Sequence, residues 1–243
     1  MSTKTTHSQR GKKGPVSSKK IAPPRRSRAR RRRGLKPGII AVVIAGVAIA
    51  GVAIIALGVI FFLNNATNSS QAGQYAFQVG SPGPGEAAPE IRLPATDGST
   101  FDLAAMRGKT VLLYFQEGLT CQPCWDQLKD IQSNIARFHV LGIDQVVSIT
   151  TDPLNALQQK VADEGLNIPV LSDTQLAASS AYTANSYGMM GSSRDGHTFI
   201  VVGPDGTIKW RADYGGAPKY TMYVPISNLV AEIRAGLKGT SSS

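Results

Sequence analysis

Cys121 and Cys124 are the only two cysteines of the 243-residue sequence, and they stand as C-x-x-C in Thr120-Cys121-Gln122-Pro123-Cys124-Trp125. Two thiols at that spacing can close a disulfide and reopen it, the thiolate being the form that attacks. Four-ligand zinc would need two more Cys or His, and beyond residue 85 only His139 and His197 are offered. A disulfide closing so short a loop removes little chain entropy, so an inert staple would gain little from it. The pattern points to redox exchange, with no cofactor motif for haem, flavin or nucleotide and no resident metal expected.

The neighbouring residues say how the pair is held. Val111–Phe115 is a β-branched and aromatic run that reads as a buried strand. After a loop at Gln116–Leu119, apolar residues recur at Trp125, Leu128, Ile131, Ile135 and Phe138, the stripe of an amphipathic helix. The dithiol sits where strand becomes helix. Thr120 is the expected N-cap, Cys121 the first helical residue, and Cys124 lies one turn in. Helix N–H groups and dipole favour a thiolate there, so Cys121 is the expected nucleophile and Cys124 its resolving thiol. Pro123 is tolerated because a first-turn N–H lacks an intrahelical partner.

Further elements alternate. Gln145–Thr151 reads as a strand; Asp152-Pro153 as N-cap and first-turn proline of a helix using Leu154, Leu157 and Val161, stopped by Gly165. Pro169–Leu171 is a short strand and Thr174–Tyr182 a helical turn. Thr198–Val202 and Thr207–Arg211 flank Gly203-Pro204-Asp205-Gly206, a hairpin signal. Ile226, Leu229, Val230, Ile233 and Leu237 mark a closing helix. The order β-α-β-α-β-β-α predicts an α/β sheet with a C-terminal hairpin. No internal repeat is visible.

The formal charge of +10 misleads as an average. Residues 1–63 carry 14 Lys and Arg and no acid, leaving 12 basic residues against all 16 acids beyond, a net of −4. Residues 1–36 cannot bury enough apolar surface to fold and are read as a disordered basic tail. Arg25–Arg33 could meet nucleic acid, but the apolar segment directly C-terminal to it favours anionic lipid. That segment, Gly38–Leu63, is 26 residues without a charge, about 39 Å of helix at 1.5 Å per residue, enough to cross a bilayer. It exceeds a signal-peptide core, although Ala66 leaves a cleavage site open. The charge asymmetry places residues 1–36 in the cytoplasm and the C-terminal domain outside. The expected organisation is thus tail 1–36, transmembrane helix 37–63, flexible linker 64–85, folded domain 86–238 and disordered tail 239–243.

CQPC after VLLYF and before Trp125 resembles thioredoxin-like proteins. Pro84–Leu93, Asp97-Gly98, Leu103 with Arg107-Gly108-Lys109, Ile168–Asp173, Ala181-Tyr182 and Phe199–Gly206 resemble, in the same order, the redoxin (AhpC/TSA, peroxiredoxin-like) branch. The resemblance implies a thioredoxin-like fold, a central mixed sheet flanked by helices. It also implies an oxidoreductase acting on protein thiols and disulfides, or on peroxide; the topology read from the charges makes these partners extracytoplasmic, and turnover needs an electron donor, expected in the membrane. Four departures are visible. The peroxidatic pattern P-x-x-x-T-x-x-C is met by neither cysteine, Gly118 standing three before Cys121. The thioredoxin cis-proline corresponds to Gly196, and only Arg194 lies near the place of the peroxiredoxin arginine. The buried thioredoxin acid corresponds to Phe115, with Glu117 the nearest substitute as proton acceptor.

A second resemblance, to the copper-delivery proteins of cytochrome oxidase assembly, offers a non-enzyme alternative. Soft thiolates at Cys121 and Cys124 with the imidazole of His197 would suit copper. Those proteins carry C-x-x-x-C rather than C-x-x-C, and their histidine lies a few residues further from the hairpin.

Overall fold

The computed structural model describes residues 51–60 and 72–239. The basic tail, most of the expected membrane span and the start of the linker fall outside these. Residues 51–60 are helical and expose Val52, Ile54, Ile55, Leu57, Val59 and Ile60. Among the described residues no helix is long and apolar enough to cross a membrane.

Five strands build the main sheet: β3 (Val111–Phe115), β4 (Gln145–Thr150), β5 (Val170–Ser172), β6 (Thr198–Val202) and β7 (Ile208–Asp213), in the order β5-β4-β3-β6-β7. β3 runs parallel to β4 and antiparallel to β6. The sheet is therefore mixed, as expected. β3 is central and buried at every position, which is why its sequence is continuously apolar rather than alternating. Leu112 and Tyr114 face one core with Trp125, Leu128 and Phe199; Val111, Leu113 and Phe115 face the other with Ile149 and Tyr182. A small hairpin, β1 (Arg92–Pro94) and β2 (Thr100–Asp102), turns at Asp97-Gly98 and lies on the second face.

Helices α1 (Gln122–Ser133), α2 (Ile135–His139), α3 (Leu154–Asp163), α4 (Ala177–Ala181) and α5 (Ile226–Gly239) complete the domain. The expected single helix from the cysteines to Phe138 breaks at Asn134, whose side-chain amide donates to the Asp130 carbonyl. Bonding back to that carbonyl competes with continuing the turn.

Residues 78–85 are a correction to the expected flexible linker 64–85. The Gln78 amide donates to Asp213 and the Asp213 amide donates back, both at 2.9 Å. The Gly80 amide meets the Asp213 carboxylate at 2.7 Å. Arg211 forms a fully buried ion pair with Asp213 at 2.8 Å and reaches the Pro82 carbonyl. An open strand edge must satisfy its backbone groups, and the outer edge of β7 does so with this segment. The α5 helix also takes in Gly239, expected as the first residue of the disordered tail.

Candidate redox site

Cys121 and Cys124 are joined by a disulfide, with Cα atoms 5.3 Å apart. Cys121 is 6% exposed and Cys124 fully buried, and Met222 packs against both. Cys121, not Thr120, occupies the N-cap of α1, and the helix starts at Gln122. Thr120 is exposed and makes no capping bond. Cys121 nevertheless stays at the positive end of the helix, its carbonyl accepting the Cys124 and Trp125 amides at 3.0 and 3.3 Å. Pro123 lies in the first turn, as expected. When the bridge opens, a thiolate at Cys121 gains from the helix dipole.

The loop entering the dithiol is held from three sides. Gly118 has φ +86°, and its carbonyl accepts the Cys121 amide at 3.0 Å and the Trp125 indole N–H at 3.0 Å. A Cβ at Gly118 would lie 1.8 Å from an Asp152 carboxylate oxygen, so only glycine lets the loop approach so closely. That same oxygen, Oδ2, accepts the Leu119 amide at 2.8 Å and the Thr150 hydroxyl at 3.0 Å. Its partner Oδ1 meets Arg194 Nη1 at 2.7 Å, and Nη1 also donates to the Glu117 carbonyl at 3.2 Å. The expected N-cap of α3 is Asp152, but Pro153 takes that position and no side chain caps the helix. A carboxylate gains more from a charged donor than from a lone amide. In the sequence Asp152 stands beside Pro153, which is a cap signal; nothing local points to its bond with Arg194.

Beneath the dithiol runs a buried polar file. The Tyr114 hydroxyl donates to the Cys124 carbonyl at 3.2 Å and lies 3.1 Å from His197 Nδ1. Both contacts are satisfied when neutral His197 carries its proton on Nδ1 and donates to the phenol oxygen. Burial pushes the His197 imidazole down to about 3 and the Tyr114 phenol well above its ordinary value. His197 also packs edge-on to Tyr114 and Phe199. Of the ligand set of the copper alternative, His197 is bonded to Tyr114 and the two cysteines to each other. Among the described residues no three Cys, His, Asp or Glu side chains gather as a ligand cluster, and His197 bonds to Tyr114 instead of joining Cys121 and Cys124.

Glu117 and Gly196 both border Gly188. Glu117 is 3% exposed, and its carboxylate accepts the Met189 amide. Gly196 precedes β6, at the place where the thioredoxin resemblance has its proline; the cis peptides are at Ser81-Pro82 and Ala217-Pro218. A Cβ at Gly196 would lie 1.5 Å from the Tyr187 carbonyl oxygen, so this glycine serves backbone packing. Beside it Asp195 is fully buried with neither carboxylate oxygen bonded, and burial holds its carboxyl well above the usual range.

Compared with known proteins, the AhpC/TSA family model matches residues 84–211. A Mycobacterium tuberculosis protein (strain H37Rv), whose name marks it provisionally as a peroxiredoxin, is 34% identical over 130 residues, 51% of this chain and 81% of its own length. Thiol-disulfide oxidoreductase ResA of Bacillus subtilis is 26% identical over 179 residues, 74% of this chain and 83% of its own. Among solved structures, peroxidoxin BcpB of M. tuberculosis matches with TM-score 0.52 at 18% identity, covering 63% of this chain and 97% of its own. The reduced 2-Cys peroxiredoxin of Plasmodium vivax gives 0.53 at 18%, covering 65% and 84%. At such identities the structural likeness is one of fold, thioredoxin-like α/β.

Proposed function

The chain belongs to the AhpC/TSA family, and from that footing we propose that it is a thiol–disulfide oxidoreductase working through Cys121 and Cys124. The observation that carries the reading is a closed C-x-x-C bridge at the N-terminus of α1, with Cys121 the less covered of the two. In the reduced protein the Cys121 thiolate attacks one sulfur of a partner disulfide. That S–S bond breaks, a mixed disulfide forms, and one partner thiolate leaves and takes a proton. Cys124 then loses its proton, attacks the Cys121 sulfur and releases the second partner thiol. Two electrons pass from the chain to the partner; run backwards, the chain oxidises the partner.

The same reading places residues 38–63 across a membrane, the basic tail against anionic lipid on the cytoplasmic side, and the redox domain outside. It takes the tail as a lipid contact rather than a nucleic-acid one. The charge asymmetry of the sequence supports this. A membrane donor of electrons would return the bridge to the dithiol.

A second reading, thiol peroxidase, is favoured by the 34% identical relative. There Cys121 would take an oxygen from the peroxide, releasing an alcohol or water, and Cys124 would condense with the sulfenic acid and expel water. Against it stand the missing peroxidatic threonine and proline and the engagement of Arg194 by Asp152. The reduced full-length protein, offered insulin or hydrogen peroxide in turn, separates the two. Dithiol oxidation should be fast with insulin disulfides and no faster than free cysteine with peroxide. The reverse order would establish the peroxidase.

A further inference from the structure

We propose that Asp152 and Arg194 are positioning residues of the dithiol, a clamp that fixes the 117–119 loop and so holds Cys121 over Cys124. The inference rests on the disulfide-exchange reading. Two residues before the site are held at their backbones, Glu117 by Arg194 at its carbonyl and Leu119 by the Asp152 carboxylate at its amide, and Gly118 between them leaves no room for a side chain against that carboxylate. The next backbone contact is the Cys121 amide on the Gly118 carbonyl, which also receives the Trp125 indole. The clamp is thus connected to the sulfur-bearing residue through a single short loop whose Gly118 carbonyl holds the Cys121 amide. It is also shielded. Side-chain exposure is 4% at Asp152 and 28% at Arg194, so the ion pair keeps more of its strength than an open surface pair would.

The consequence is chemical rather than only structural. Disulfide closure depends on how closely the two thiols are held before they react, since fixed proximity raises their effective concentration. Loosening the loop lets Cys121 drift from Cys124 in the dithiol state, and closure loses part of that advantage. In the exchange of dithiol and oxidised glutathione to give the bridge and two reduced glutathiones, the equilibrium constant should fall. The bridge becomes easier to reduce.

The test measures that constant for full-length wild-type protein, Arg194→Gln, Arg194→Lys and Asp152→Asn, alongside thermal unfolding. About a tenfold lower constant is expected for Arg194→Gln and Asp152→Asn, equivalent to a potential about 30 mV higher. Arg194→Lys, which keeps a cation able to reach Asp152, should recover most of the loss. Should Asp152→Asn fail to fold, the part-exposed Arg194 carries the test alone. A constant within twofold of wild type in Arg194→Gln, whatever its melting temperature, would overturn the clamp and leave a purely structural ion pair. A wild-type protein with no measurable equilibrium would instead defeat the exchange reading itself.

Discussion

The Tyr114 hydroxyl lies 3.1 Å from His197 Nδ1 and 3.2 Å from the Cys124 carbonyl oxygen, so a histidine 83 residues from the phenol supports the redox helix from below. His197 acts here as a neutral donor sealed in an aromatic core. Its place makes it a liability in acid.

Unfolded His197 takes a proton near its ordinary 6.5, but the folded imidazole does so only near 3. Between those values the unfolded state binds the extra proton, so stability falls as pH drops, by up to about 1.4 kcal/mol per pH unit. Above 6.5 the contribution is constant. His197→Asn keeps a donor near Tyr114 without titrating. Urea midpoints at pH 7 and pH 4.5 should diverge less in His197→Asn than in wild type; equal losses would show that another group takes the proton.

Asp195 has the opposite sign. Its carboxyl is raised by burial and has no bonded partner, since the Ser179 hydroxyl donates to Asp173. The folded protein therefore keeps Asp195 protonated where the unfolded chain ionises. The stability it contributes is complete below its ordinary value of 3.8 and is lost as pH rises towards the folded value. Asp195→Asn supplies a permanently neutral isostere. Relative to wild type it should gain stability at pH 7 and almost none at pH 3.5, read by denaturant unfolding. A destabilised Asp195→Asn at pH 7 would mean that the buried carboxyl is ionised and held by its surroundings.

The cysteines should divide the labour. In the reduced protein Cys121, at the helix N-terminus, should be alkylated about tenfold or more faster than buried Cys124, a ratio that one pKa unit alone would supply. Cys124→Ser should accumulate mixed disulfides with protein partners, and Cys121→Ser should trap none. Mass spectrometry of the trapped species checks this, and faster alkylation at Cys124 would reverse the assignment.

The proposed topology is checked in cells. Protease added to intact spheroplasts should remove the redox domain and leave a short protected fragment containing residues 38–63. A domain that stays protected would place it in the cytoplasm, and a domain released into the medium without protease would mean that the apolar segment is cleaved.

Much of the fold is legible in local stretches of the chain. VLLYF reads as a central strand because a strand buried on both faces needs apolar residues at every position, and β3 is buried throughout. The Trp125, Leu128, Ile131 spacing marks the helix face, and Gly203-Pro204-Asp205-Gly206 marks the hairpin, with Gly206 at φ +75°. These features depend on residues within a few positions of one another. The β1–β2 hairpin does not stand out in the same way, because each strand is only three residues long, too short to show a period.

By itself, then, the sequence determined the C-x-x-C pair, its seat between a buried strand and a helix, and the α/β class, because periodicity and turn chemistry act at short range. The tertiary structure decided which partner each polar side chain found. Asp152 left a capping role beside Pro153 for Arg194, 42 residues away, and its carboxylate drew in Leu119 just before the helix that begins with Cys121 as cap. His197 turned from an apparent loop histidine into a buried donor to Tyr114, and residues 78–85 turned from tether into the cover of the β7 edge. A carboxylate, an imidazole or an open strand edge takes the partner that strand order and packing bring to it, and that partner lies far along the chain.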